Sequence, residues 1–245
     1  MIALRTRLSC QWNLRTQFTG DSYLQSMMGH GLRASSHAEL VDRLASRGFL
    51  VFKDPGKIDK VKLVDRARFQ VSQTSTYDNS PSKLTKAHCM STAQLHAQVL
   101  SLLGDRLMEG KVSCEIGCGS GYLPAVMAAL GCKKVYAVER DSLLKDLARV
   151  RLQKTGIHVT SDIGDIRDPL DALYVSPYFA SKTGMEEYLK NVPFSDNALV
   201  VAVYNDGVAS AIPEQQLVLL TRSEDGWNEE KLFRVMCEPL VVDSY

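Results

Sequence analysis

A glycine-rich turn at residues 114–123, CEIGCGSGYL, is the part of this sequence best suited to holding a ligand. It follows a β-rich run and opens a helical one. Glycine lets the backbone approach a ligand closely, and ligands of open α/β sheets bind outside the carboxyl ends of the strands. A dinucleotide turn has the pattern G-x-G-x-x-G, which from Gly117 requires a third glycine at position 122, where this chain has Tyr122. The turn therefore predicts a bound ligand other than a dinucleotide.

Acidic residues stand at the ends of the strands predicted to flank this turn. Glu139 ends the second strand, where a carboxylate can accept hydrogen bonds from both ribose hydroxyls of a nucleoside. Asp162 ends the third strand, where an acid commonly meets an adenine amino group, and Asp165 competes with it because SDIGD offers two acids. Each acid alone could be a solvated strand end. With Glu115, which leads the glycine turn, they favour one binding site.

The spacing of Gly117, Gly119 and Gly121 behind Glu115 resembles the S-adenosyl-L-methionine loop of Rossmann-like methyltransferases. The resemblance implies S-adenosyl-L-methionine as the cofactor. No metal is expected, because the six cysteines lack a paired zinc-type spacing. The cofactor contacts expected from this part of the chain are Glu115, Gly117, Cys118, Gly119, Gly121, Tyr122, Glu139, Arg140, Ser161 and Asp162.

Strands and helices alternate on both sides of the glycine turn. The alternation predicts a mostly parallel sheet covered by helices on both faces, closed by an antiparallel pair at 216–221 and 232–242. Upstream, Ser36 and Glu39 form a capping box that opens a helix over 36–47. The other predicted strands are 112–116, 134–138, 158–161, 173–175 and 199–203, and the other predicted helices are 58–69, one beginning at Ser91, 122–130, 143–154 and 184–190.

Composition places the chain among average globular proteins, with 245 residues, 45% hydrophobic residues and a net charge of +1. No apolar run is long enough for a membrane helix and no global charge attracts nucleic acid, so neither partner is expected. Reduced thiols favour the cytoplasm. Residues 1–34 are rich in arginine and poor in acids, which fits a mitochondrial transit peptide, a disordered extension, or a start at Met27 or Met28.

Longer stretches, from about Ser36 to Val242, resemble the protein-L-isoaspartate (D-aspartate) O-methyltransferase family. SHAELVDRLASRGFL resembles its opening helix, VDRARF its DR-x-x-[FY] segment, and HCMSTAQLHAQVLSLL its ATISAPHMHA hallmark. The resemblance implies an α/β, Rossmann-like class I methyltransferase domain over 35–245, with an N-terminal helical, substrate-side segment (35–110) and a cofactor-binding core (111–245). It also implies a monomer that methylates isoaspartyl carboxylates in damaged proteins. It assigns Ser91 as the active-site serine, with His88, Cys89, Met90 and His96 at the cofactor.

Physical reasoning independently favours a carboxylate acceptor at Ser91. Such an acceptor is already an anion at neutral pH, so methyl transfer requires alignment and fixed hydrogen-bond donors rather than a strong base. A helix N-terminus with a hydroxyl supplies those donors. Two alternatives stay open: Ser91 could only cap its own helix, and His96 could be a core histidine.

The chain also departs from the family pattern, and the departures lie mainly on the substrate side. They are Ala93-Gln94 in the hallmark, residues 176–180, residues 202–205, and Val241 in place of a threonine. A cofactor-binding relative without turnover, acting as an interaction protein, would show the same imbalance. Ser176-Pro177-Tyr178 suggests a second alternative, an amino-group methyltransferase.

Overall fold

A computed structural model describes residues 32–72, 76–207 and 214–240 of the chain. It contains a two-stranded hairpin and a seven-stranded sheet. The strands are β1 (Ser82–Lys83), β2 (Cys89–Met90), β3 (Val112–Ile116), β4 (Lys134–Val138), β5 (His158–Thr160), β6 (Leu170–Phe179), β7 (Phe194–Asn205), β8 (Gln215–Ser223) and β9 (Gly226–Arg234).

The large sheet has the order β5-β4-β3-β6-β7-β8-β9, and β1 pairs with β2 in the hairpin. Strands β3 to β7 are parallel, and β8 and β9 are antiparallel. The predicted fold, a mostly parallel sheet with antiparallel C-terminal strands, is confirmed. The helices are α1 (His37–Ser46), α2 (Gly56–Lys62), α3 (Ala93–Leu103), α4 (Tyr122–Leu130), α5 (Ser142–Leu152) and α6 (Lys182–Leu189).

Two apolar cores lie on opposite faces of the large sheet. The first core packs side chains of the five helices from α1 through α5 against sheet residues such as Tyr174 and Val201. The second packs Met185 and Leu189 of α6 against sheet residues such as Leu173. Strands covered on both faces need near-continuous apolar runs, which β6 and β7 have. Leu32 is 2% exposed and packs in the first core, although it falls within the predicted extension of residues 1–34. Residues 1–31 of that extension lie outside the described residues.

Most predicted elements are present, and the central ones have the predicted bounds: β3, β4 and α4 match 112–116, 134–138 and 122–130. The helix predicted over 58–69 is wrong, because the chain forms α2 and then a separate 3₁₀ turn, Arg66–Phe69. Asp65 starts that turn by accepting a hydrogen bond from the backbone N–H of Ala67 at 2.8 Å.

The last strand also differs from its prediction. Strand β9 begins directly at Gly226, whose φ of +119° suits the tight β8–β9 turn, and it ends at Arg234 instead of running from 232 to 242. Residues 235–240 then cross to the end of β6. We call them the C-terminal strap. Positions 241 and 242 lie outside the described residues.

No helix within the described residues combines the length and the apolar character that crossing a membrane requires.

Candidate active site

The glycine turn after β3 is built by close approaches that only glycine allows. The backbone N–H groups of Gly117 and Cys118 both donate to the Val138 carbonyl, at 2.8 and 3.1 Å, which ties the turn to the end of β4. A Cβ on Gly117 would lie 2.6 Å from Cδ of Pro177, and one on Gly121 would lie 2.7 Å from Cδ1 of Leu152. Both glycines also have positive φ. The turn therefore sits close to β6 and α5.

A cleft of about 1340 Å³ opens beside this turn, at the carboxyl ends of the parallel strands. The N-terminal segment supplies one wall, and the ends of β3, β4 and β5 supply the other. The predicted residues that line it are His88, Cys89, Met90, Ser91, Gly117, Gly119, Glu139, Arg140, Ser161 and Asp162. The structure thus brings most of the sequence-predicted site together.

A smaller cavity of about 30 Å³ lies behind the turn and shares Ser91, Gly117 and Gly119 with the cleft. The predicted residues His96, Glu115, Cys118 and Tyr122 line this cavity and do not line the cleft itself. Gly121 lines neither space, and its role is the close packing against α5.

Two buried oxygens at the small cavity, Oε2 of Glu115 and Oγ of Ser120, have no hydrogen-bond partner among the described residues. Burial, with the nearby Glu139 charge, raises the pKa of Glu115 well above its ordinary value. A buried polar group without a partner is costly, so such a group suggests a missing ligand.

Glu139 follows β4 directly and organises the turn. Its Oε2 accepts from the Gly119 N–H at 2.8 Å and its Oε1 from the Asp141 N–H at 2.9 Å. The side chain is largely buried yet borders the cleft, and a carboxylate oxygen can accept a second hydrogen bond. Glu139 therefore couples the shape of the glycine turn to whatever the cleft holds.

The structure separates the two acids after β5. Asp162 lines the cleft, and its Oδ1 accepts from the Gly164 N–H at 2.8 Å. Asp165 does not line the cleft, because its Oδ2 is bonded to the Thr160 hydroxyl. This placement favours Asp162 as the acid that faces a ligand.

Ser91 and Thr92 have different roles at the start of α3. The helix begins at Ala93, and its N-cap is Thr92, whose Oγ1 accepts from the Leu95 N–H at 3.2 Å. The predicted start at Ser91 is therefore wrong, and so is the alternative that Ser91 caps the helix. Its hydroxyl makes no hydrogen bond to the described residues and borders the cleft. It stays available to a ligand.

Arg66 supports Ser91 from behind and was missed by the sequence analysis. It is fully buried; Nη2 donates to the Ser91 carbonyl at 2.5 Å, and Nη1 lies 2.9 Å from Nδ1 of His96. Burial lowers the pKa of Arg66 to about 10, which still leaves it charged at neutral pH. Its place in VDRARF, where the family's DR pair stands, was the only available signal.

His96 belongs to this support. Burial, together with the charge of Arg66, lowers the pKa of His96 well below its ordinary value, so the ring is neutral and its Nδ1 faces Arg66. The ring packs against Tyr122, with the centroids 5.4 Å apart. Burial raises the pKa of Tyr122 to about 12. These contacts favour a core histidine over a cofactor contact.

The cleft has further lining residues, of which Ser176 and Pro177 were noted in the sequence, as part of a departure from the family pattern. Residues 202–205, expected at the substrate pocket, lie at the end of β7 and do not line the cleft. The additional residues that do line it include Asp141, Leu144, Ile163, Ser176, Pro177 and Glu238.

Comparison with known proteins decides the family. The family model of protein-L-isoaspartate (D-aspartate) O-methyltransferase matches residues 35–217. The chain belongs to this family. The match covers both the N-terminal segment that carries Ser91 and the sheet that carries the glycine turn. The chain is therefore a methyltransferase that uses S-adenosyl-L-methionine.

Curated relatives agree. The protein-L-isoaspartate O-methyltransferase of Parvibaculum lavamentivorans is 35% identical over 158 residues, which are 61% of this chain and 63% of that protein. The protein of the same name from Vibrio vulnificus strain YJ016 is 30% identical over 216 residues, 83% of this chain and 94% of that protein. The chain thus spans just under two thirds of the first relative and nearly all of the second.

The fold also matches a solved structure. A Plasmodium falciparum crystal structure, described as a protein-L-isoaspartate O-methyltransferase in complex with S-adenosyl-L-homocysteine, has a TM-score of 0.70 and 20% identity. The match covers 85% of this chain and 99% of that one. At this identity the likeness supports the class I methyltransferase fold.

Proposed function

We propose that this chain transfers the methyl group of S-adenosyl-L-methionine to the free carboxylate of isoaspartyl residues in damaged proteins. The observation that carries the proposal is the Ser91 hydroxyl, left available at the cleft because Thr92 caps α3. Ser91 stands where the N-terminal wall of the cleft meets the glycine turn, and an acceptor bound to it would face the donor site.

The residues at the cleft and at the small cavity behind the glycine turn fit the proposed cofactor. Glu115 Oε2 and Ser120 Oγ are unpartnered polar atoms suited to an amino-acid group, and Glu139 is a carboxylate suited to ribose hydroxyls. Asp162 and Ile163 border the part of the cleft that would take an adenine. When bound, S-adenosyl-L-methionine supplies a methyl group on a positively charged sulfur, which makes that carbon an electrophile.

The protein's task toward the acceptor is to bind and align it. The carboxylate is an anion at neutral pH and needs no deprotonation. The Ser91 hydroxyl offers a donor, and the N-terminal end of α3 offers a positive dipole end, to hold it. Arg66 and His96 keep the Ser91 backbone in place. Replacing water around the carboxylate with these fixed groups favours in-line attack.

The amino-group alternative is less favoured by the geometry after β6. Tyr178 donates its backbone N–H to the Glu238 carbonyl, and its own carbonyl accepts from the Leu240 N–H, both at 2.8 Å. The strap thus occupies the backbone of the aromatic residue in Ser176-Pro177-Tyr178.

The remaining parts of this proposal follow the resemblance to the family and the composition. The partners are proteins or peptides that carry isoaspartyl residues, not nucleic acid or membranes. The chain acts as a monomer in the cytoplasm, or in mitochondria if residues 1–34 are a transit peptide.

Labelled methyl transfer to an isoaspartyl peptide tests the proposal, with the matching normal aspartyl peptide as the control. We expect base-labile label on the isoaspartyl peptide alone. Base-stable label would support the amino-group alternative. No label from a protein that still binds S-adenosyl-L-homocysteine would support the non-catalytic alternative.

A further inference from the structure

A carboxylate on the C-terminal strap holds the segment that carries Ser91. Glu238 accepts from the Cys89 backbone N–H at 2.8 Å through Oε1 and pairs with His88 Nδ1 at 2.7 Å through Oε2. His88 and Cys89 lie about 150 positions before Glu238 in the chain, and all three residues line the cleft. One side chain therefore joins the two ends of the domain at the cleft.

The Ser91 segment needs such an anchor, because it lies outside the large sheet. Among the described residues, strand β2 pairs only with β1, through Ser82 with Met90 and Lys83 with Cys89. Ser91 follows directly. Apart from this hairpin, the tie from Arg66 to the Ser91 carbonyl and the Glu238 contacts fix residues 88–91 from two sides.

The strap is fixed firmly enough to serve as that anchor. Gln215 brackets Cys237: its Oε1 accepts from the Cys237 N–H at 2.5 Å, and its Nε2 donates to the Cys237 carbonyl at 3.1 Å. The backbone of Tyr178 bonds to Glu238 on one side and Leu240 on the other. Glu238 thus projects from backbone that is tied to β6 and β8.

His88 extends the connection to the opposite wall of the cleft. Its Nε2 lies 3.7 Å from Oδ2 of Asp141, the residue that caps α5. The charged groups that face His88 are Glu238 from the strap, Asp141 from the start of α5 and Glu139 from the end of β4. All three are acids, and the Glu238 contact is the main reason that the pKa of His88 is raised.

We propose that Glu238 is a positioning residue that holds residues 88–91 in place for the reaction and, through His88, closes the cleft over bound cofactor. The inference rests on the proposed function and adds two roles that act through separate oxygens. Oε1 positions the Ser91 segment through Cys89, and Oε2 closes the cleft through His88.

The contact between Glu238 and His88 has a definite pH dependence. The pKa of His88 is raised in the folded protein, so the charged contact is complete below the ordinary pKa of histidine and is lost as pH rises through the raised value. Cofactor release should therefore become faster as pH rises.

The test measures the release rate of S-adenosyl-L-homocysteine from pH 5.5 to 8.5, together with kcat on an isoaspartyl peptide. The variants are Glu238→Ala, Glu238→Gln and His88→Gln, and the matched control is Glu224→Gln in the exposed β8–β9 turn. For the parent and the control, we expect release to accelerate at least threefold across this range. The three variants should release the ligand fast at every pH.

The kcat values of two variants distinguish the roles of the two Glu238 carboxylate oxygens. Glu238→Gln keeps an oxygen for the Cys89 N–H, so its kcat should stay within twofold of the parent, whereas Glu238→Ala should lose at least fivefold. A release rate and pH profile of Glu238→Ala equal to those of Glu224→Gln would overturn the closing role. Equal losses of kcat in Glu238→Gln and Glu238→Ala would overturn the positioning role.

A lowered melting temperature with an unchanged pH profile would mean that Glu238 is only structural. Release of S-adenosyl-L-homocysteine requires no acceptor. A parent that binds it but does not methylate the peptide would therefore refute the proposed function, while the release rates would still decide the closing role.

Discussion

Two neighbouring hydroxyls at the start of α3 have different surroundings. Thr92 faces its own helix and accepts from the Leu95 N–H, while Ser91 faces the cleft and is held through its carbonyl by Arg66. Capping and acceptor binding are therefore assigned to different side chains. This separation makes the role of Ser91 testable without disturbing the helix.

Ser91→Ala should reduce turnover of an isoaspartyl peptide at least tenfold, equivalent to about 1.4 kcal/mol of barrier, because the hydroxyl that orients the acceptor is lost. Its melting temperature and cofactor affinity should match the parent. Thr92→Ala is the matched control: it should cost ~1 kcal/mol of stability through loss of the cap. If Ser91→Ala retains full turnover, the start of α3 holds the acceptor without the hydroxyl.

Glu139 combines a ligand role with a loop role. Glu139→Gln should weaken the binding of S-adenosyl-L-homocysteine by about 1.5–3 kcal/mol. The reason is that one charged acceptor becomes an amide NH₂ that faces the Gly119 or Asp141 N–H. Calorimetry measures the change. Glu224→Gln in the exposed β8–β9 turn is the control, and Asp141→Asn, in which asparagine keeps the cap of α5, is the comparison. A loss confined to Asp141→Asn would move the ribose contact to that residue.

Among the structural elements, the turn between β3 and α4 carries the close contacts of the donor site. Gly119 has a φ of +54° and borders the cleft, and a Cβ there would lie 3.1 Å from Leu84 Cδ1. Gly156, in the exposed turn before β5, has a φ of +73°, and a Cβ there would meet no described atom within 4 Å. Both glycines have a left-handed backbone conformation, but only Gly119 borders the cleft.

Gly119→Ala and Gly156→Ala should each lose roughly 1 kcal/mol of stability, because alanine resists a left-handed backbone. Only Gly119→Ala should lower the affinity for S-adenosyl-L-homocysteine, by tenfold or more, since its Cβ enters the ligand side of the turn. Thermal unfolding and calorimetry on both variants measure the two effects. Equal affinities in the two variants would show that the ligand does not approach this turn.

For the whole molecule, the cleft joins two parts of the chain that are far apart in sequence. Residues 88–91 and the strap supply one wall, and the ends of β3, β4 and β5 supply the other. A ligand that contacts both walls binds only the folded protein, so it stabilises the whole domain.

S-adenosyl-L-homocysteine at 100 times its Kd should add about 2.7 kcal/mol of stability, which raises the melting temperature of a chain this long by about 5 to 10 °C. NAD should leave it unchanged, because Tyr122 stands where a dinucleotide turn needs glycine. Differential scanning fluorimetry compares the two ligands. A shift with NAD alone would contradict the cofactor assignment.

The sequence by itself determined the features that depend on short-range spacing. Alternating apolar runs predicted the sheet, three glycines and Glu115 predicted the donor turn, and the hallmark around Ser91 predicted the family. These patterns are readable because strand period, helix period and turn chemistry act over a few residues.

Only the tertiary structure decided which side chains meet across the cleft. It assigned the cap of α3 to Thr92, placed Arg66 behind Ser91, separated Asp162 from Asp165, and brought Glu238 to His88. The partners of Arg66 lie 25 and 30 residues away along the chain, and those of Glu238 about 150. Such contacts depend on how the sheet and its helices pack, and no local spacing in the chain encodes that packing.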